Sequence, residues 1–254
     1  MRVLGIESAT PLVSCAVVDG SGVLAEAVLR APMRHLEWLA PAIDDMLRAL
    51  GIRPREIEGI AVSRGPGGFT GLRIGIATAA SWARAGGTPV LGVGTLEALA
   101  VAAGTHEAVL AALDAHRGEV AAALYRVPAA GEPRCLVRPL VASPDVVTGE
   151  VRAALEEEGL SGSGGTPSRP ARPGPVLIVG DALARHERAL LAGLADRGIA
   201  GGPHVHPRAA TVALLGRLRL LAGARDDPAV LLPIYGRRPA LREWQETRAQ
   251  PGNG

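Results

Sequence analysis

Lysine does not occur in this chain: all 27 basic residues are arginine, set against 25 acidic ones for a formal net charge of +2. A phosphate-binding P-loop needs the lysine of GxxxxGK(S/T), a protein kinase needs a strand lysine on ATP, and a pyridoxal enzyme needs a lysine for its Schiff base. None of these chemistries is open to it. Aromatic side chains are nearly as scarce, at 2%: Phe69, Tyr125, Tyr235, Trp38, Trp82 and Trp244. They are too few for the stacking platforms on which single-stranded nucleic acid is read, so an RNA-recognition module is not expected. The two cysteines, Cys15 and Cys135, stand far apart with no metal-binding neighbours, which argues against a disulfide framework or a zinc site and fits a reducing cytoplasm. Glu7 interrupts what would have to be an apolar export signal, and the weakly charged stretch 86–103 contains Pro89 and Glu97. A soluble, cytoplasmic protein with no membrane partner is expected.

What the chain does have is aliphatic. Hydrophobic residues make up 48% of 254 residues, supplied by Ala, Val, Leu and Ile, enough to bury one large core or two small ones. VLGIE (3–7) and VSCAVV (13–18) read as a hairpin, followed by a third strand at 23–29. Apolar residues at Leu36, Leu39, Ala40, Ile43, Leu47 and Leu50 then recur at helical spacing until Gly51. Strand 59–62, a helix over 70–85, strand 90–92 and a helix over 95–103 complete a layered α/β unit. The second half opens with AVLAALDAHRGEVAAALY, again two strands and a turn, and continues into strand 176–181 and helices over 182–197 and 211–223. The repeated order suggests an internal duplication. The expected units are 1–104, a smaller or degenerate 105–210, and a terminal segment 224–254 with a frayed tail; helix 211–223 is expected to pack back on the first unit. Residues 161–175, almost pure Gly, Ser, Pro and Arg, read as a disordered loop.

SRGPGGFTGLRIG (63–75) is the strongest local feature. Its glycines either expose backbone N–H groups at a helix N-terminus, where anions bind, or make a tight turn that lets the helix pack close to the sheet. It matches neither GxxxxGK(S/T) nor GxGxxG. His204 and His206 form an HxH pair between prolines, read as a solvated loop or half a metal site; His106, His116 and His186 are isolated. No GxSxG elbow occurs.

GIESAT (5–10), Arg34-His35 followed by Pro41, SRGPGGFTGLRIG, LGVGTLEALA (91–100), ALDAHRGEV (112–120) and PIYGR (233–237) stand in the order and spacing of one family. Over almost its whole length the chain resembles the TsaB (YeaZ) family. The resemblance implies an actin, sugar-kinase and heat-shock-chaperone (ASKHA) fold of two βββαβα-type domains. It also implies a role in making N6-threonylcarbamoyladenosine (t6A) beside the tRNA anticodon, in which the family member binds and activates the catalytic relative TsaD together with the P-loop ATPase TsaE. The family-motif turn falls on Arg64, Gly65, Pro66, Gly67, Gly68, Thr70 and Arg73. Catalytic relatives carry HxxxH where this chain has Thr95-Leu96-Glu97-Ala98-Leu99, and Thr and Leu cannot hold a metal there. Nucleotide-binding relatives carry a Gly-Gly turn where this chain has Gly180-Asp181, whose carboxylate would repel phosphate. No catalytic residue and no metal are therefore assigned. Asp114 and Gly118 are the remaining nucleotide candidates, the other reading being a hairpin capped by the Asp. No cofactor is assigned beyond a nucleotide at the TsaD junction.

Partner binding is expected on two helices. A core stripe through Leu36 would leave Trp38 outside, and Gly71, Gly75 and Ala79, continued by Trp82, would let another helix approach closely. The residues assigned to this surface are His35, Trp38, Leu39, Ala42, Gly71, Gly75, Ala79 and Trp82, serving TsaD or a homodimer. The alternative puts the Gly and Ala face against the chain's own first helix. The competing function is a free-standing enzyme of the same fold, a nucleotide-dependent kinase or a metallopeptidase, against which the missing HxxxH argues. tRNA is expected as an indirect partner, held mainly by TsaD, which the tail residues Arg237, Arg238, Arg242 and Arg248 could brush. Gly236, and Ala121-Ala122, replace a leucine and aromatics usual in the family.

Overall fold

The computed structural model describes residues 1–30, 35–158, 174–202 and 205–235. Strands β1 (Val3–Glu7), β2 (Leu12–Asp19) and β3 (Gly22–Arg30) form an antiparallel meander, with the Asp19 carboxylate accepting the Ser21 N–H at the turn. Helix α1 (His35–Leu50) leads to β4 (Gly59–Ser63), α2 (Phe69–Gly86), β5 (Val90–Val93) and α3 (Thr95–Ala102). The first sheet runs β3-β2-β1-β4-β5, with β4 and β5 joining in parallel. β1 and β4 are buried at every residue because helices cover both faces, so they read as unbroken apolar runs rather than alternating ones.

The second half repeats this order. It comprises β6 (His106–Asp114), β7 (Val120–Val127), β8 (Arg134–Ala142), α4 (Pro144–Glu157), β9 (Val176–Val179), α5 (Leu183–Gly193) and β10 (Gly198–Ala200), paired as β10-β9-β6-β7-β8. Adding five to each strand number of the first sheet gives the second, which is as wide as the first. β8 and α4 escaped the sequence reading. β8 carries Pro139, which a sheet accepts here because the strand lies at the edge. α4 buries only a narrow stripe of Val147, Thr148, Val151 and Leu155.

Helix α6 (Ala209–Leu221) packs on β1, β2, β4 and β5, on the face opposite α1 and α2. It approaches so closely that a Cβ on Gly5 would overlap the Ala209 carbonyl, and one on Gly216 would overlap the Ala61 methyl. Its first N–H groups are met by strand side chains. Ser14 Oγ accepts from Ala209 N at 3.0 Å and Glu26 Oε1 from Ala210 N at 3.1 Å, while Arg208 pairs with Glu26. Arg219 donates to both Glu97 oxygens (3.0 and 2.5 Å) and to Glu132 (2.8 Å), tying α6 and α3 to the loop before β8.

α1 keeps the expected phase, with Leu50 also packed on the core, and departs from it chiefly in its first turn. Its buried stripe is Leu39, Ile43, Met46 and Leu47, whereas Leu36 is 72% exposed and Trp38 lies half-buried against the core. The indole covers the core's edge, which the first-turn Leu36 does not reach. No helix among the described residues is long and apolar enough to cross a membrane.

Gly5→Ala or Gly216→Ala should each cost about 1–3 kcal/mol of unfolding free energy by overpacking. Gly149→Ala, in α4 with open space around it, should add about 0.5–1 kcal/mol; chemical denaturation reads both signs.

Candidate functional site

The Gly-rich turn spends its polar backbone inside the protein. Gly65 N donates to Thr95 Oγ1 at 3.1 Å, and Gly68 N donates to the Ala9 carbonyl at 2.7 Å. Gly65 has φ +115°, and a Cβ there would overlap the Ile234 carbonyl; one on Gly67 would overlap that of Ala9. The glycines therefore let three chain segments meet: the β1–β2 turn, the start of α2, and the segment 226–235. That segment is a strap across the ends of β4 and β5. Asp226 N donates to Val90 O (2.8 Å), Gly92 N to Asp226 Oδ2 (2.8 Å), and Ile234 N to Arg64 O (2.6 Å). The motifs around residues 65 and 233 are thus one structure.

Within it lies a buried acid that sequence reasoning passed over. Glu7, fully buried at the carboxyl end of β1, accepts the Ala9 N–H at 2.6 Å through Oε1, while Oε2 and the neighbouring Ser8 Oγ have no hydrogen-bond partner among the described residues. Burial pushes the Glu7 carboxyl up to about 7, opposed by the Ala9 N–H, the Ser63 hydroxyl and the Ser8 N–H. Its sequence signal was plain: an acid ending an otherwise apolar strand.

Of the family-motif residues, Arg64 N donates to Val93 O and its guanidinium lies 4.0 Å from Asp226. Thr70 is exposed. Arg73 sits 3.7 Å over the Phe69 ring and donates to Tyr235 Oη at 3.1 Å, and Phe69 stacks on Tyr235 with centroids 5.1 Å apart. Two of the chain's few rings thus lie on its surface. At the HxxxH position, Thr95 is buried and bonded to Gly65, Leu99 is buried beside Gly180, and Glu97 belongs to Arg219. Among the described residues no group of three or more His, Cys, Asp or Glu is placed to hold a metal ion.

The second hairpin turns through His116, Arg117 and Gly118, all at positive φ. Asp114 accepts from His116 N (2.9 Å) and Arg185 (2.9 Å), with His186 at 3.7 Å. Burial raises its carboxyl, but the His116 N–H and the surrounding His116, Arg185 and His186 outweigh this and hold it below the usual range. Asp181 Oδ1 accepts the Asp114 N–H at 2.9 Å. Both carboxylates are turned onto this chain's own groups.

The expected partner surface is only partly outward. Leu39 is 1% exposed, and Gly71, Gly75 and Ala79 are buried. A Cβ on Gly75 would overlap Ser8 Oγ, so at Gly75 α2 lies against the end of β1, while Ala79 shares the core cluster with Leu39 and Ile43 of α1. Trp38, Ala42 and Trp82 remain half-buried at the rim, and the outward face of α2 is Arg73, Ala77, Ser81 and Arg84. The His35 side chain, His204 and residues 161–173 and 236–254, with the four tail arginines, lie outside the described residues.

A profile of the family "TsaD: tRNA N6-adenosine threonylcarbamoyltransferase" matches residues 20–137. The chain is 39% identical over 129 residues to the tRNA threonylcarbamoyladenosine biosynthesis protein TsaB of Escherichia coli, covering 50% of this chain and 55% of that protein. Against the protein of the same name from Bacillus subtilis it is 29% identical over 127 residues, 50% and 56% of the two chains. The match thus spans about half the length of these curated relatives. The solved YeaZ from Pseudomonas aeruginosa superposes with TM-score 0.73 at 26% identity, over 92% of this chain and 99% of that one. A ROK hexokinase from Thermus thermophilus shares the fold alone, with TM-score 0.51 at 16% identity over 88% and 100%. The architecture is the ASKHA-like α/β fold.

The Glu7 proton gives stability a pH dependence. The folded carboxyl titrates near 7 against 4.5 for the ordinary group, so the native state holds the extra proton between those values. Stability is fully present below about pH 4.5 and falls as pH rises to about 7, by ~3 kcal/mol at most. Glu7→Gln should flatten that segment of a stability–pH curve from urea melts.

Proposed function

We propose that this chain, which belongs to the TsaB/YeaZ family, is the non-catalytic activating subunit of the complex that forms t6A on tRNA, and that it works by holding TsaD. The observation that carries this reading is the internal use of the groups that the nucleotide and metal motifs would need. The Gly65 and Gly68 N–H groups, the Thr95 hydroxyl and the Asp114 and Asp181 carboxylates are each bonded within the chain. Its relatives named TsaB are described as t6A biosynthesis proteins, and its likeness to the TsaD profile supports pairing of two chains of one fold. TsaE would act on that pair, a nucleotide would sit at its junction, and tRNA would be held mainly by TsaD. In the absence of TsaD the same surface would serve a homodimer in the cytoplasm. The contact surface we assign is the outward side of α1 and α2 with Trp38, Ala42 and Trp82 at its rim.

Reconstitution tests the activity: t6A formation by TsaD, TsaE and the donor-forming enzyme should rise at least tenfold when this protein is added, and an unchanged rate refutes the reading. Ala42→Glu should weaken co-purification with TsaD while leaving the melting temperature of the free chain nearly unaltered.

A further inference from the structure

Between α2 and the strap lies a groove of about 560 Å³. Ile76, Ala77, Ala80, Leu231 and Leu232 form its apolar lining, and Arg73 and Arg84 stand on the α2 side. The two arginines are eleven residues apart, which places them about 16 Å apart along the axis and within about 20° of the same face. Neither α2 nor 228–235 contains Asp or Glu, and Asp227, just before the strap, turns its carboxylate onto the Ala229 N–H. The walls therefore carry two cations and no carboxylate. Arg73 is held in place by Phe69 and Tyr235, so it would lose little freedom on meeting an anion.

The strap widens the apolar area outward. Leu231 points into the core, while Val230 and Leu232, each 67% exposed, and Ile234 at 46% face solvent at alternate positions, and Phe69, 52% exposed, continues the patch. Exposed apolar surface beside ordered aromatic and arginine side chains is the composition of an interface. Ala77 and Ala80 leave room for the backbone of another helix to come close.

We propose that this groove docks an amphipathic helix of a partner protein, one with an apolar stripe and carboxylates about eleven residues apart that meet Arg73 and Arg84. The inference rests on the reading that this chain acts by holding another protein, and it names the chemistry of the segment held. Arg84 supplies charge at one end, the stacked Arg73 at the other, and the alanines set the depth.

Two arms of titration calorimetry on the full chain test it. Against TsaD, Arg84→Glu should weaken binding about tenfold or more at low salt and remove much of its salt dependence. Against a designed helical peptide with Glu at two positions eleven apart beside a leucine stripe, the wild-type chain should bind more tightly than it binds the same peptide with both Glu changed to Gln, and Arg84→Glu should erase the difference. If TsaD binds both chains alike and the peptides are not distinguished, the groove proposal is overturned while the proposed function stands. Peptide discrimination without TsaD binding keeps the groove and removes the TsaD reading; failure of both arms overturns both. Salt-sensitive self-association abolished by Arg84→Glu, with TsaD binding intact, would assign the groove to a second copy and overturn the partner helix. Arg84 is exposed, so the variant should fold; its melting temperature provides the control.

Discussion

The close seat of α6 on the first sheet is the constraint from which the rest follows. At Gly5 and Gly216 there is no room for a side chain, so helix and strands meet almost backbone to backbone. That contact fills the face of the sheet opposite α1 and α2. It also places the start of α6 where Ser14 and Glu26 satisfy its first N–H groups, and its end where Arg219 reaches Glu97 and Glu132. A helix that follows the second half in sequence thereby joins the core of the first.

The same economy governs the region where nucleotide-handling relatives of the fold would do chemistry. A glycine turn before a helix offers N–H groups, and here Ala9 and Thr95 take two of them, with the strap closing over the top through Ile234. The turn is a clasp among distant segments. Glu7, buried beneath it with one oxygen unpaired, is tolerated because burial keeps its proton on up to about pH 7.

Much of this was legible in the sequence. The hairpins, the helices after Thr95 and Phe69 and the duplicated order followed from apolar runs bounded by Gly and Asp, and the family motifs gave the fold. The misreadings have physical reasons. Period placed Leu39, Ile43 and Leu47 of α1 but not its first turn, where an indole can cover a core edge as well as a leucine can; hence Leu36 and Trp38 were exchanged. The Gly71, Gly75 and Ala79 row signalled burial and close approach but could not say to what, and at Gly75 the approach is to Ser8. The strap was hidden because it has no regular structure: its register comes from hydrogen bonds to Val90, Gly92 and Arg64, residues more than a hundred positions earlier.

The position of α6 and the strap in the chain has a consequence for how the molecule is made. Strands β1 to β5 leave the ribosome first, yet the helix that covers one face of their sheet and the strap that closes its end are translated after β6 to β10. The first half must wait, with Val3, Ala61 and Val93 uncovered, until the second half has been synthesised and folded. The second sheet has no such wait, since α3, which covers one of its faces, precedes it in the chain and α4 and α5 lie among its own strands. Completion of the first sheet is therefore a late, long-range event, although its strands appear earliest.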